Sequence, residues 1–399
     1  MLNRALSLYK SSFTGLSPQT WSLSLILLVN RSGTMVVPFL TLYLTTKEMG
    51  CTLSQAGTVM GLFGFGSVIG AYLGGKLSDR IGFHKVQLLS LLLGGLMFII
   101  LGQVKAYELI CVTTFFLSMV NEAFRPANSS AIAYYSTPEN RTRSYSLNRL
   151  AVNLGWAVGA SIGGIIASYN YELLFWVDGI TNMAAAIVLF LSFKIPKTKN
   201  KSFDEVTEIK KGESAYQDKT YLWYIFLVIL FGLCFFQLFT TVPKYFRDGL
   251  MLNEKYIGFL MAINGLLIVV LEMVMIYKME GKRNIAVFMS LGTVICAFAF
   301  LSLLLPGPAK WISLLMILII TVGEIVAMPF MNTYWTTRSK AHNRGQYAAL
   351  FTMAWGIGQT FGPYIIAVII DNTNYAIAFI VVALVFLITA FGFWKLPKY

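Results

Sequence analysis

GAYLGGKLSDRIGFHKV, residues 70–86, is the stretch on which the fold turns. Its first seven residues, Gly70 to Lys76, fit the G-x-x-x-x-G-K opening of a phosphate-binding loop. Such a loop needs Ser or Thr after the lysine to hold a magnesium ion, and Leu77 stands there. It also needs a strand before it. Here the preceding LSQAGTVMGLFGFGSVIGAYLGG is a long apolar run without a charge. The nucleotide-binding reading fails, and the rest of the chain has to say what the stretch is.

Of the 399 residues, 57% are hydrophobic and 12% are charged. Soluble proteins carry about 25% charged residues. The apolar excess recurs in runs of about 20 residues, the length that crosses a bilayer as a helix. Twelve such runs are expected, at about 20–44, 54–75, 86–104, 108–136, 144–168, 173–193, 221–243, 256–277, 285–305, 311–336, 346–370 and 375–394. The chain thus reads as an all-α polytopic membrane protein. Connections are short except for the polar, highly charged segment 194–220. That linker separates an N-terminal six-helix half, 1–193, from a C-terminal six-helix half, 221–399.

The net charge of +13 is distributed by side and does not call for nucleic acid. With the N-terminus inside, 22 Lys and Arg fall in cytoplasmic segments. Only Lys47, Lys105, Lys244, Arg247, Lys255 and Lys310 fall outside. This positive-inside bias predicts cytoplasmic termini. Residues 1–19 have no apolar core of signal-peptide length, so the first run is expected to act as the insertion signal. Cys51, Cys111, Cys234 and Cys296 have no paired spacing, so neither disulfides, metal nor cofactor is expected.

The halves repeat weakly at an offset of 203: Pro126 with Pro329, Asn140-Arg141 with Asn343-Arg344, Gly155 and Gly159 with Gly358 and Gly362. The turn DRIGFHKV has a degraded counterpart, MEGKRNI, around Gly281. Parallel six-helix repeats are the build of many secondary transporters, which bind substrate at the midplane.

In that setting GKLSDRIGFHK, Gly75 to Lys85, resembles the signature loop of the major facilitator superfamily, G-x-x-x-D-R-x-G-x-R/K-R/K, between helices 2 and 3. Gly75, Asp79, Arg80, Gly82 and Lys85 match, and His84 replaces a basic residue. GWAVGASIGG, Gly155 to Gly164, resembles the antiporter motif G-x-x-x-G-P-x-x-G-G of drug:proton exporters. It keeps Gly155, Gly159, Gly163 and Gly164, but Ala160 replaces the proline. The helix 4 arginine motif of such exporters is not recognisable in NEAFRPANSS. The resemblance implies that fold, with two pseudo-symmetric halves, and helices 1, 4, 7 and 10 lining a cavity. Asp79 is then expected to meet the basic end of helix 4, at Arg141 or Arg143, and the N-terminus of helix 11. That cluster would act as a conformational switch.

Ionisable residues inside spans cost about 2.5–3.5 kcal/mol each on insertion scales. Seven stand there: Arg31, Glu122, Arg125, Arg149, Asp178, Glu272 and Glu324. Glu122 and Arg125, i and i+3, share a helix face. Substrate or proton-coupling candidates are Arg31, Glu122, Arg125, Arg149, Glu272, Glu324 and the polar Gln237 in helix 7. Asp178 is expected to be a structural hydrogen-bond acceptor. Pro38 and Pro243 are placed to bend helices 1 and 7.

These residues predict a proton-coupled secondary transporter working by alternating access and exporting a small amphiphilic or drug-like compound. The alternative is a proton symporter for a small organic anion or peptide, which the buried arginines would suit. No nucleophile–base pair points to an enzyme, and no filter motif to a channel. The expected partners are a small-molecule substrate, protons and membrane lipid. The expected state is a monomer in the bacterial inner membrane.

Overall fold

The computed structural model describes residues 7, 10–44, 46–193 and 214–397. Most of the 194–220 linker lies outside the described residues. Ten helices among the described residues are long and apolar enough to cross a membrane. They are α3 (Leu53–Ile81), α4 (Phe83–Gln103), α7 (Arg141–Tyr169), α8 (Glu172–Ser192), α11 (Glu254–Met279), α12 (Ile285–Ser302), α13 (Ala309–Arg338), α14 (Arg344–Asn372), α15 (Tyr375–Trp394) and a broken seventh span. The seventh is α9 (Lys219–Phe235), a 3-10 turn (Phe236–Phe239) and α10 (Thr241–Asp248). The first and fourth spans are each two shorter helices: α1 (Pro18–Ser32) with α2 (Val36–Leu44), and α5 (Tyr107–Glu122) with α6 (Phe124–Tyr135). Counting these gives the twelve spans expected.

Each break has a cause. In span 1 the backbone turns at Gly33. At the new helix start the N–H groups of Val36 and of Met35, which also reaches the Gly33 carbonyl, donate to the buried Asp178 carboxylate of α8, at 2.8–3.1 Å. Asp178 is therefore a cap supplied from another helix, the structural role its sequence position suggested. In span 4, Pro126 lacks the N–H that would bond the carbonyl four residues back, at Glu122, and the helix restarts at Phe124. Span 7 tightens to 3-10 geometry at Phe236, ahead of Pro243.

The two halves pack alike. Span 1 packs on spans 5 and 6, span 2 on span 4, and span 3 on spans 4 and 6. Span 7 packs on 11 and 12, span 8 on 10, and span 9 on 10 and 12. Between halves, span 2 meets span 11, and span 5 meets spans 8 and 10. Pro126 and Pro329, Asn140 and Asn343 fall at matching places in this repeat. Even the turns match: Asn140 Oδ1 accepts Thr137 N at 2.9 Å, and Asn343 Oδ1 accepts Lys340 N at 2.8 Å.

Small residues set the closest crossings. A Cβ on Gly155 would lie 2.5 Å from Arg31 Cβ, and one on Gly159 3.1 Å from the Ser32 carbonyl oxygen. One on Gly163 would lie 3.1 Å from Met35 Cβ, whereas Gly164 faces the Phe39 ring loosely at 3.9 Å. The antiporter-like glycines of α7 thus form the seam with span 1.

Candidate functional site

The face where α3 turns into α4 is the basic face of the charge pattern. There Gly82 takes φ +91°, a left-handed conformation that glycine enters without steric cost. The turn lets Asp79, in the last turn of α3, reach the second half. Its carboxylate accepts the N–H of Gly345 at 2.7 Å and of Gln346 at 2.9 Å. These are orphan donors at the start of α14, where the helix dipole also favours an anion. Gly75 and Gly345 face each other so closely that a Cβ on either would run into the other's backbone carbonyl.

The second half repeats the device. Gly281 takes φ +74° after α11. The residue before it, Glu280, accepts the N–H of Thr142 at 2.9 Å and of Arg143 at 3.3 Å, at the start of α7, and Arg143 Nε at 2.7 Å. Thr142 and Thr333 close the seam with a 2.8 Å hydroxyl contact. Burial raises the Glu280 carboxyl above the usual range, although Arg143 and the two N–H groups pull it down. The degraded turn has thus kept its chemistry in a shifted register.

One expectation is corrected here. Arg143 pairs with Glu280, not Asp79, because it sits at the N-terminus of the helix that Glu280 caps. Arg141 forms no salt bridge among the described residues, and its Nε is buried without a hydrogen bond. Asp79 meets the N-terminus of span 11, as expected, and Arg344 is the arginine whose charge acts on it. Arg80 and Lys85 are exposed on the basic face.

The ionisable residues within the spans gather into two clusters. In the first, Arg125 Nη1 donates to Glu122 Oε2 at 3.2 Å, across the break in span 4. Arg31 stands close enough for its charge to act on both. Glu122 and Arg125 line a cavity of about 190 Å³ between spans 2 and 11, which Arg31 does not line.

The second cluster joins the halves. Arg149, on α7 of the first half, donates from Nη1 to Glu272 Oε2 at 2.6 Å and from Nη2 to Glu324 Oε2 at 2.7 Å. Glu272 lies on α11 and Glu324 on α13, both in the second half and both buried. Asn264 Nδ2 bonds Glu324 Oε1 at 2.6 Å and Thr321 Oγ1 at 2.9 Å. Among the described residues Glu272 Oε1 has no hydrogen-bond partner of good geometry. Two carboxylates thus share one guanidinium, and full ionisation leaves one negative charge uncompensated in a buried place.

Gln237 does not face the cavity. It is buried in span 7, where its amide nitrogen donates to Leu233 O at 2.7 Å and its amide oxygen accepts from Thr241 Oγ1 at 2.6 Å, bridging the 3-10 turn. The reading from sequence had each charged residue but not the Arg149 triad, nor Asn264 and Glu280. Glu280 carried a signal, an acid just ahead of a glycine in the repeated turn.

The family model described as Major Facilitator Superfamily matches residues 23–359. YdeE, an uncharacterized MFS-type transporter of Escherichia coli (strain K12), is 21% identical over 374 residues, 91% of this chain and 90% of its own. The class B tetracycline resistance protein of Escherichia coli is 26% identical over 325 residues, 79% of each chain. The crystal structure of the human organic anion transporter MFSD10 (TETRAN) superposes with a TM-score of 0.73 at 15% identity, covering 94% of this chain and 100% of that one, and shows the same fold. The chain belongs to the Major Facilitator Superfamily; it is a membrane transporter of small molecules and not an enzyme.

Proposed function

We propose that this superfamily member is a proton-coupled secondary transporter, working by alternating access, that exports a small amphiphilic or drug-like compound. The observation that carries the reading is the Arg149–Glu272–Glu324 triad. It ties span 5 of one half to spans 8 and 10 of the other, so its charge state acts on the contact that has to open and close. With one proton the triad is neutral and tolerates a dry, closed seam. Without it, one carboxylate lacks a counter-charge, which favours a state in which water reaches it. Proton occupancy therefore biases a two-state equilibrium, and a substrate that binds one state better biases it too.

On this reading Asp79 and Glu280 are the latches that hold the basic face shut while the cavity is accessible from the other side. Both termini lie in the cytoplasm of a bacterial inner membrane, the linker is 194–220, and the monomer suffices. The relative named for tetracycline resistance supports the export direction. The test is flux in proteoliposomes across a compound panel with an imposed pH gradient. Compound movement against the proton gradient's direction, with proton counterflow, is expected. Movement along it would make the protein a symporter, and flux indifferent to pH would remove proton coupling.

A further inference from the structure

The triad accounts for one cluster of membrane charges and leaves the other unexplained. Arg31, Glu122 and Arg125 together carry one excess positive charge when ionised. Among the described residues Glu122 takes one side-chain hydrogen bond, from Arg125, and neither guanidinium forms another. Arg125 thus spends one of its five N–H donors. Its side chain is 40% exposed, against 13% for Glu122, and the exposed part faces the cavity between spans 2 and 11. A guanidinium at the start of α6, deep between two halves of span 4, is costly unless water or an anion meets it.

The rest of the cavity wall is mixed. Met60, Phe63, Val68 and Met353 give it an apolar side, and Gln359 and Thr360 a polar one. Gly356 lines it on span 11, and a Cβ there would meet nothing within 4 Å, so there is room beside the helix. An apolar body therefore has a surface to lie on, within reach of a guanidinium with unspent donors.

We infer that this cavity binds an amphiphilic anion, with a carboxylate, sulfonate or phosphate head on Arg125 and an apolar body against Met60, Phe63 and Met353. A planar guanidinium fork suits such heads, which accept two parallel N–H bonds. A cationic amphiphile fits poorly. The one carboxylate it could use already lies between two arginines, so the ligand would meet a net positive field. The inference rests on the transporter reading only in calling this ligand a substrate.

The test is equilibrium binding to the purified full chain in lipid nanodiscs, without any pH gradient. The probes are 2-naphthalenesulfonate and 2-naphthyltrimethylammonium, which share one apolar body and differ in charge. The sulfonate should bind at least tenfold more tightly. Arg125→Ala should remove that preference, Arg125→Lys should keep part of it, and Gly356→Leu should weaken both probes. Glu122→Gln should tighten the sulfonate several-fold, because it removes the competing carboxylate, whereas a purely structural ion pair predicts no gain. Should Arg125→Ala fail to fold, the lysine and glutamine variants still decide. Tighter binding of the ammonium probe, a preference that survives Arg125→Ala, or sulfonate binding no tighter than wild type in a folded Glu122→Gln protein would overturn the inference. Because no gradient is used, the sulfonate preference can stand when proton-driven flux fails, and flux can stand when the preference fails.

Discussion

Neutralising the Asp79 latch should open the basic face by a calculable amount. Asp79→Asn keeps the size of the side chain and removes its charge. In the structure the carboxylate takes two backbone N–H groups, at 2.7 and 2.9 Å, one on each oxygen. An amide offers only one acceptor oxygen. One charge-assisted bond is lost and the other becomes neutral, at about 1.5–3 kcal/mol for a bond to a charged group against about 1 for a neutral one. A net loss of about 2–5 kcal/mol in the closed state shifts the closed-to-open ratio about 30- to 5,000-fold. Glu280→Gln should act in the same direction at the other seam. Spin labels on cysteines placed at Glu139 and Ala341, both exposed in basic-face loops of opposite halves, would report the distance distribution by double electron–electron resonance. The half-buried Cys51 and Cys111 would be replaced first. Distributions that stay unchanged in folded Asp79→Asn and Glu280→Gln proteins would refute the latch.

Three further outcomes follow from single contacts. Arg149→Met should cost about 3–5 kcal/mol of stability by stranding two buried carboxylates, and adding Glu272→Gln and Glu324→Gln should restore most of it in thermal unfolding. No rescue in the triple variant would mean that Arg149 serves packing alone. Asp178→Ala should destabilise by about 1–3 kcal/mol, because the Val36 N–H is left buried and unpaired while the Met35 N–H keeps the Gly33 carbonyl at 3.0 Å, with Asp178→Asn recovering part; a melting point equal to wild type would contradict the cap. Outside the membrane, burial opposes ionisation of Asp218, but Arg338, Tyr347 and the Tyr221 N–H outweigh it and hold the carboxyl below its usual value. Its contribution is complete above the ordinary carboxylate pKa of about 3.9 and is lost as pH falls through the depressed folded value. Asp218→Asn should therefore flatten the acid limb of melting temperature against pH, and an unaltered limb would sink that assignment.

The fold was legible because bilayer length and charge bias are written in composition, and because the repeat at 203 preserved Pro126 with Pro329 and Asn140 with Asn343. The breaks in spans 1 and 4 were less so: Asp178 caps a helix start 142 residues away in sequence, and only the packed structure brings them together. The site was legible as a set of residues but not as two clusters. Glu122 and Arg125 declare themselves by helical spacing. Arg149, Glu272 and Glu324 lie on three spans, and nothing in their local sequence says which side of each helix faces the others. Glu280 was obscured by register: it stands one residue before its glycine and Asp79 three before, yet both reach equivalent N–H groups.

The central claim, that the Arg149 triad carries the transported proton, is tested most directly by comparing two modes of transport in Glu272→Gln and Glu324→Gln proteoliposomes. Glutamine holds each carboxyl in a permanently neutral form, so the proton can no longer come and go. At least one of the two variants should lose pH-gradient-driven flux of a compound that the wild type moves, while retaining gradient-free exchange of that compound across the membrane. Full pH-driven flux in both variants, with melting points near wild type, would contradict the account and remove the triad from proton coupling.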